Sequence, residues 1–270
     1  MGIASYSVAA LRAALESAGV TKGGTVVVHS SLMHLGRLEG VPHSEYPARV
    51  ADLFLELLGP EGTLAVPASN WDYGRQGVPF DLQSTPSAKD LGVLSRHLLE
   101  RPEVVRSVNP TFSLAIVGAR AEWLCAGGNG HAFGYDSAWD RLYQVDARMI
   151  FLGCDLNALS FTRYMEMRFG VPYLYNKLFA IPVLDRGQPI DTPIVSLLRY
   201  HHIPVEYDLK RFEQELRDRG VLTETPLGGA HIRSVPSRAC LDVGMECLKR
   251  DIHFFLAKAP CYPPDGPPRI

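Results

Sequence analysis

The chain has 270 residues, 46% of them hydrophobic and 21% charged, which is enough apolar material for a full core and excludes a disordered chain. Lys and Arg total 27 against 29 for Asp and Glu, with no Lys/Arg-rich run, so the charge balance excludes the footprint of a nucleic-acid or anionic-membrane partner. A small-molecule partner is expected instead, in a cytoplasmic monomer or homodimer.

Short β-branched runs alternate with amphipathic helical patterns in one unit without a linker, the signature of an α/β architecture read as a single domain over residues 1–270. A helix is predicted over 7–18, its apolar positions interrupted by Arg12 and Glu16, unlike a secretory leader. A strand follows at Thr25–Ser30, a helix at 44–58 stopped by Gly59-Pro60, a strand at Thr63–Ala68 and a helix at 90–100. Next come a strand at Phe112–Val117, a helix at 118–125 and a strand at Met149–Gly153. A helix over 159–169, started by Asn157 or Ser160, a strand at Phe179–Leu184, and helices over 207–219 and 236–249 complete the series. The strands are nearly all apolar, as strands covered on both faces are. Pro and Gly cluster in 67–87 and 127–134, which read as long loops, and the Pro-rich CYPPDGPPRI reads as a surface tail. No apolar run reaches the roughly 20 residues that span a bilayer. Cys125, Cys154, Cys240, Cys247 and Cys261 contain no CxxC pair, so reduced thiols are expected, with neither a disulfide framework nor a metal site.

Three stretches carry candidate chemistry. In TVVVHSSLMHLGRL a strand delivers Ser30 and Ser31 to a turn, where hydroxyls and free N–H groups can hold a phosphate or a carbonyl oxygen; an ordinary strand exit looks the same. His29 and His34 lie beside them with no metal-ligand cluster to join. In QSTPSAKDLGVLSRHLL, Thr85-Pro86-Ser87 can start a helix, either capping it or offering its first-turn N–H groups to an anion. Downstream, the forked donors of Arg106 in Arg106-Ser107 suit a phosphate, although a lone surface arginine is the commoner case. In GGNGHAFGYDSAWDRLY, His131 sits among four glycines, which supply no apolar wall, so a loop imidazole acting as a general base is favoured over a packing role. Glu166, on the helix of SFTRYMEMRFGVPY, could orient that imidazole or hold an ammonium, or be a solvated helix residue. The GxSxG elbow, the GxxxxGK[ST] loop, a strand–GxGxxG–helix and HEXXH are all absent.

The ordered set HSSLMHLG, GTLAVPA, STPSAKDLGVLSRHLLERPEVVRSVNPTFSLAIVGARAEWL and HAFGYDSAWDRLYQVDARMIFLGCDLNALSFTRYMEMRFGVPY resembles the aminoglycoside 3-N-acetyltransferase family across roughly residues 20–180. The resemblance implies a three-layer α/β/α fold with a central mixed sheet, distinct from the GNAT acetyltransferases, and acetyl-CoA as cosubstrate with no metal. It further implies that Ser30, Ser31, Leu32, Thr85, Ser87, Arg106 and Ser107 line the coenzyme A site, that His131 is catalytic and that Glu166 supports it. Backbone N–H groups near Ser31 are then expected to stabilise the thioester oxyanion. The chain departs from the family's usual His-Pro at Asn109-Pro110, from Ser-Pro at Ser137-Ala138, and from a frequent histidine three residues before the helix glutamate at Arg163. The segment NWDYGRQGVPFDLQ is short where resistance enzymes carry a longer acceptor loop. A small amino sugar or related biosynthetic amine is therefore the expected acceptor, contacted by Trp71, Asp72 and Tyr73. Antibiotic N-acetylation and a non-catalytic CoA-binding homologue are the alternatives.

Overall fold

Nine strands carry the argument, and they are found in a computed structural model that describes residues 4–126 and 130–262. They are β1 (Thr25–Ser30), β2 (Thr63–Pro67), β3 (Val105–Arg106), β4 (Leu114–Gly118), β5 (Arg148–Leu152), β6 (Leu174–Phe179), β7 (Ile194–Arg199), β8 (Thr223–Leu227) and β9 (Ala230–Pro236). Seven of them form one mixed sheet in the order β8-β9-β5-β1-β2-β4-β3. The centre, β5-β1-β2, is parallel, and β9, β8, β4 and β3 are added antiparallel. Strands β6 and β7 make a separate antiparallel pair.

Alternation along each central strand divides the core into two faces. Val26 and Val28, Leu64 and Val66, and Ile150 and Leu152 pack on one side with helices α1 (Val8–Ser17), α2 (Tyr46–Leu58) and, beyond α3 (Trp71–Gln76), α4 (Gly92–Leu99). Val27, Ala65, Met149 and Phe151 pack on the other with α5 (Ala121–Ala126), α6 (Ala138–Gln144), α7 (Thr162–Phe169), α8 (Lys210–Asp218) and α9 (Ser237–Arg250). This is the three-layer α/β/α arrangement expected from the sequence. Each fully buried Leu, Ile or Phe of these faces contributes roughly 1.5–3 kcal/mol of burial. No helix among the described residues is long and apolar enough to cross a membrane.

Several expectations are corrected. The strand read at Phe179–Leu184 ends at Phe179, because Pro182 cannot continue a ladder, and a short strand resumes at Val183–Asp185. The stretch 67–87 is not one loop: Asn70 accepts a hydrogen bond from Tyr73 N at 3.1 Å and starts α3. Thr85-Pro86-Ser87 does not cap a helix, since α4 begins at Gly92 after a 3₁₀ turn at Lys89–Leu91. Neither Asn157 nor Ser160 caps α7; Asn157 Oδ1 instead accepts from Leu209 N at 2.9 Å. The tail expected at CYPPDGPPRI lies outside the described residues from Pro263 on, and so do Gly127, Gly128 and Asn129 of the loop expected at 127–134.

Candidate active site

The carboxyl ends of the parallel strands define one end of the sheet, the usual crevice for ligands in an open α/β sheet. Ser30 closes β1, Pro67 closes β2 and Leu152 closes β5. Because β4 runs antiparallel, its first residue Leu114 pairs with Pro67, so the Asn109–Ser113 approach to β4 arrives at this same end. The segment 85–92 crosses it, with Ala88 N donating to Ser69 O at 2.7 Å. A Cβ on Gly92 would lie 3.2 Å from Ser30 O, so glycine permits the close approach of this segment to β1.

Within that frame the expected coenzyme A residues divide. Ser87 is buried and its hydroxyl has no hydrogen-bond partner among the described residues, a state that costs roughly 1–3 kcal/mol and suits a ligand atom. Ser30 is half-buried at the strand exit. Ser31 bonds His34 Nδ1 through its hydroxyl at 2.6 Å, and Leu32 is buried. Thr85 Oγ1 accepts from Asp81 N at 2.7 Å, and Ser107 Oγ accepts from Leu114 N at 2.9 Å. Arg106 does not face solvent. Its guanidinium is buried, donates to Thr85 O, Ala68 O and Ser113 Oγ, and lies 4.3 Å from the Phe80 ring centroid. Burial pushes its pKa down to about 9, which Asp81 partly offsets. Of the backbone N–H groups near Ser31 expected to meet an oxyanion, that of Ser31 itself donates to Leu152 O at 2.8 Å.

His131 reaches the same end from the α5–α6 connection, which forms a parallel bridge with Val195 of β7. Ala132 N donates to Val195 O at 2.9 Å and Val195 N to Gly130 O at 3.2 Å. Gly130 has φ +74, and a side chain there would collide with Pro193 O; a Cβ on Gly134 would come within 3.0 Å of the His131 ring. Glycine is thus required at 130, and at 134 it leaves the imidazole its room. Phe133 N donates to His131 Nδ1 at 3.1 Å, which puts the proton of the neutral ring on Nε2. Half-burial lowers the His131 pKa, and a hydrogen bond with the Asn176 side chain on β6 partly restores it. Phe133 packs on Phe112 at 4.6 Å, and Phe112 meets Trp71 edge-on at 6.4 Å, which links the histidine to α3.

Glu166 does not support that ring. It is fully buried and accepts from Arg163 Nη1 at 2.8 Å, Tyr173 OH at 2.8 Å and Tyr207 OH at 2.8 and 2.9 Å. No hydrogen bond joins it to His131 among the described residues. Arg163, its neighbour one turn back, stacks 4.1 Å from the Tyr207 ring centroid. Burial pushes the Glu166 carboxyl up to about 7, with Arg163 opposing. Of the expected acceptor contacts, Tyr73 is buried with Phe80 and Phe179 and donates to Ile181 O at 2.8 Å. Trp71 is half-buried with its indole N–H on Asp90 at 2.9 Å, while Asp72 is exposed and accepts from Gln76 at 2.9 Å. His29 is a neutral core histidine, pushed down to about 4 by burial and stacked 5.2 Å from Phe151. Asn109, Asn176 and Tyr207 were not anticipated as site residues; only Asn109 carried a signal, as a departure from the family's pattern. No group of His, Cys, Asp or Glu side chains able to hold a metal occurs among the described residues.

Comparison with known proteins gives a coherent result. A family model described as aminoglycoside 3-N-acetyltransferase matches residues 27–249. Aminoglycoside N(3)-acetyltransferase IV of Salmonella sp is 29% identical over 261 residues, covering 93% of this chain and 89% of that one. The crystal structure of the aminoglycoside acetyltransferase AAC(3)-IVa apoenzyme superposes with a TM-score of 0.73 at 26% identity, over 97% of this chain and 93% of that chain. The binary complex of AAC-IIIb with CoASH shares the fold, with a TM-score of 0.75 at 22% identity over 95% of this chain and all of that one.

Proposed function

The chain belongs to the aminoglycoside 3-N-acetyltransferase family, and from that membership we propose that it moves an acetyl group from acetyl-CoA directly to the amine of a small amino sugar or related biosynthetic amine. The protein is an acyltransferase of the CoA-dependent N-acetyltransferase class. The family match across residues 27–249 carries the acetyl-transfer part of this reading, and the small acceptor rests on the fold of 69–83. The donor lies along the strand ends, where the Ser87 hydroxyl, unpartnered among the described residues, and half-buried Ser30 suit its polar atoms. The acceptor nitrogen attacks the thioester carbonyl carbon, the C–S bond breaks, and coenzyme A leaves as the thiolate while the amine proton passes to His131. The lone pair that takes this proton is at Nδ1, so proton transfer displaces the Phe133 N–H. Holding both reactants at one sheet end supplies much of the remaining rate.

The Phe133 contact favours a second reading of the same residue. With Nδ1 accepting a hydrogen bond, His131 carries its proton on Nε2, the nitrogen left to meet Asn176, and once released from Asn176 that N–H is a donor able to stabilise developing charge without removing a proton. His131→Gln separates the two, since an amide donates but is no base. A base role is expected to cost His131→Gln as much as His131→Ala, roughly 10²–10⁴-fold in turnover. A donor role leaves the glutamine variant well above the alanine one. Wild-type turnover in His131→Ala sinks both readings.

The compact fold of 69–83 favours a small acceptor: α3 turns Tyr73 into a satellite core with Phe80, leaving Asp72 as its exposed acidic group in the first turn. Thiol release from acetyl-CoA, measured across amino sugars and aminoglycosides with product masses, tests this. Turnover confined to aminoglycosides replaces the acceptor assignment with antibiotic N-acetylation. Coenzyme A binding with no thiol release on any amine replaces it with a non-catalytic homologue.

A further inference from the structure

One buried amide holds the residue before His131 and the strand residue with which His131 is bridged. Asn109 Nδ2 donates to Gly130 O at 2.8 Å and to Val195 O at 2.9 Å, the two carbonyls that also close the His131–Val195 bridge. Its Oδ1 accepts from Thr111 N at 3.2 Å and lies 2.9 Å from Thr111 Oγ1 and 3.2 Å from Ser196 Oγ; these two hydroxyls are 2.7 Å apart, so their two protons are shared over three contacts. Both ends of the amide are therefore engaged, and its orientation is set: only the NH₂ side can face two carbonyls and only the oxygen can face the Thr111 N–H. The network ties the approach to β4, the histidine connection and β7 at one point. Phe112, on the same 3₁₀ turn, packs on the Phe133 ring, and it is the Phe133 N–H that bonds His131 Nδ1.

We propose that Asn109 is a positioning residue that fixes the placement and tautomer of the His131 ring by clamping the carbonyl before it to the β7 residue it bridges. Its consequence for turnover rests on the functional reading of His131, whereas its effect on the ring does not. Asn109→Asp is the sharpest test, since it keeps the acceptor oxygen for Thr111 and Ser196 but turns a second oxygen toward two carbonyls. Ser196→Ala is the control, removing a donor on the far side of the amide. Nitrogen chemical shifts of the His131 ring, assigned with His131→Ala, report the tautomer directly, and steady-state kinetics with acetyl-CoA report the chemistry.

The wild-type ring is expected to show the proton on Nε2, and Asn109→Asp a mixture of tautomers. The same variant is expected to lose roughly 10- to 100-fold in kcat with KM for acetyl-CoA within about twofold, as loss of positioning rather than of donor binding. Asn109→His, which restores one N–H toward the carbonyls, is expected to recover the wild-type tautomer and most of kcat, and it serves if the aspartate variant does not fold. An unchanged ring spectrum in folded Asn109→Asp overturns the proposal, as does unchanged kcat when His131→Ala is inactive. A tautomer shift with full activity in His131→Ala means that the clamp exists and the functional reading of His131 has failed.

Discussion

A serine hydroxyl buried without a partner is a cost in the unliganded protein and an asset once a ligand supplies the missing bond. Ser87→Ala is therefore expected to act with opposite signs on stability and affinity. Removing the orphan should stabilise the apoprotein by about 1 kcal/mol, a rise of roughly 2–4 °C in Tm for a chain of this size. It should also raise KM for acetyl-CoA several-fold. Thermal melts alongside kinetics check both, and a variant less stable and equally active would assign Ser87 to the fold alone. Glu166 sets a second residue-scale expectation. Its carboxyl is pushed up to about 7 from 4.5, so between those values the folded state holds a proton that the unfolded chain has released. Stability from this group is present below about 4.5 and is lost as pH rises through about 7. Urea melts at pH 5 and pH 8 should show a steeper fall in the wild type than in Glu166→Gln; equal slopes would remove the group from the pH dependence. Arg163→Ala, which leaves that carboxylate without its cation, is expected to cost roughly 3–5 kcal/mol.

At the scale of elements, glycine positions decide whether the histidine connection can close. Gly130→Ala must force a residue with φ +74 against Pro193 O, so it should detach the connection from β7 and lower kcat, with melting of the sheet little changed. Faster amide exchange at Ala132 and Val195 in the variant is the measurement; wild-type protection there would show that the backbone accommodates the methyl group. This end of the molecule was legible in the sequence because apolar runs such as TVVVHS and a lone histidine among glycines are local signals. The β8–β9 hairpin was not. Its strands TETPL and AHIRSVP are half polar, with Glu224 and Arg233 paired at 3.0 Å on the outer side, so the Gly228-Gly229 turn lacked the apolar flanks that identify a hairpin. The burial of Arg106 was hidden for a related reason: an arginine beside a serine looks like a surface anion site until the fold surrounds it with three oxygen acceptors. Spacing could not tell that Glu166 would be filled by Arg163, Tyr173 and Tyr207, because Tyr207 joins from 41 residues away.

The two core faces share one sheet, and no composition break separates them, so we expect 1–270 to unfold as one cooperative unit. Calorimetry should give a van't Hoff enthalpy equal to the calorimetric one, and two resolved transitions would divide the chain. Order along the sheet also has a consequence during synthesis. Strand β5 is completed at Leu152, but its outer neighbour β9 begins only at Ala230, about 80 residues later, and at roughly 5–20 residues per second that interval lasts several seconds. Throughout it the apolar sequence RMIFL presents an unpaired edge, a template for pairing with another nascent chain. The half-polar hairpin that the sequence concealed is thus also the piece that ends this exposure, which makes yield on the ribosome, and its dependence on chaperones, sensitive to mutations far from the catalytic end.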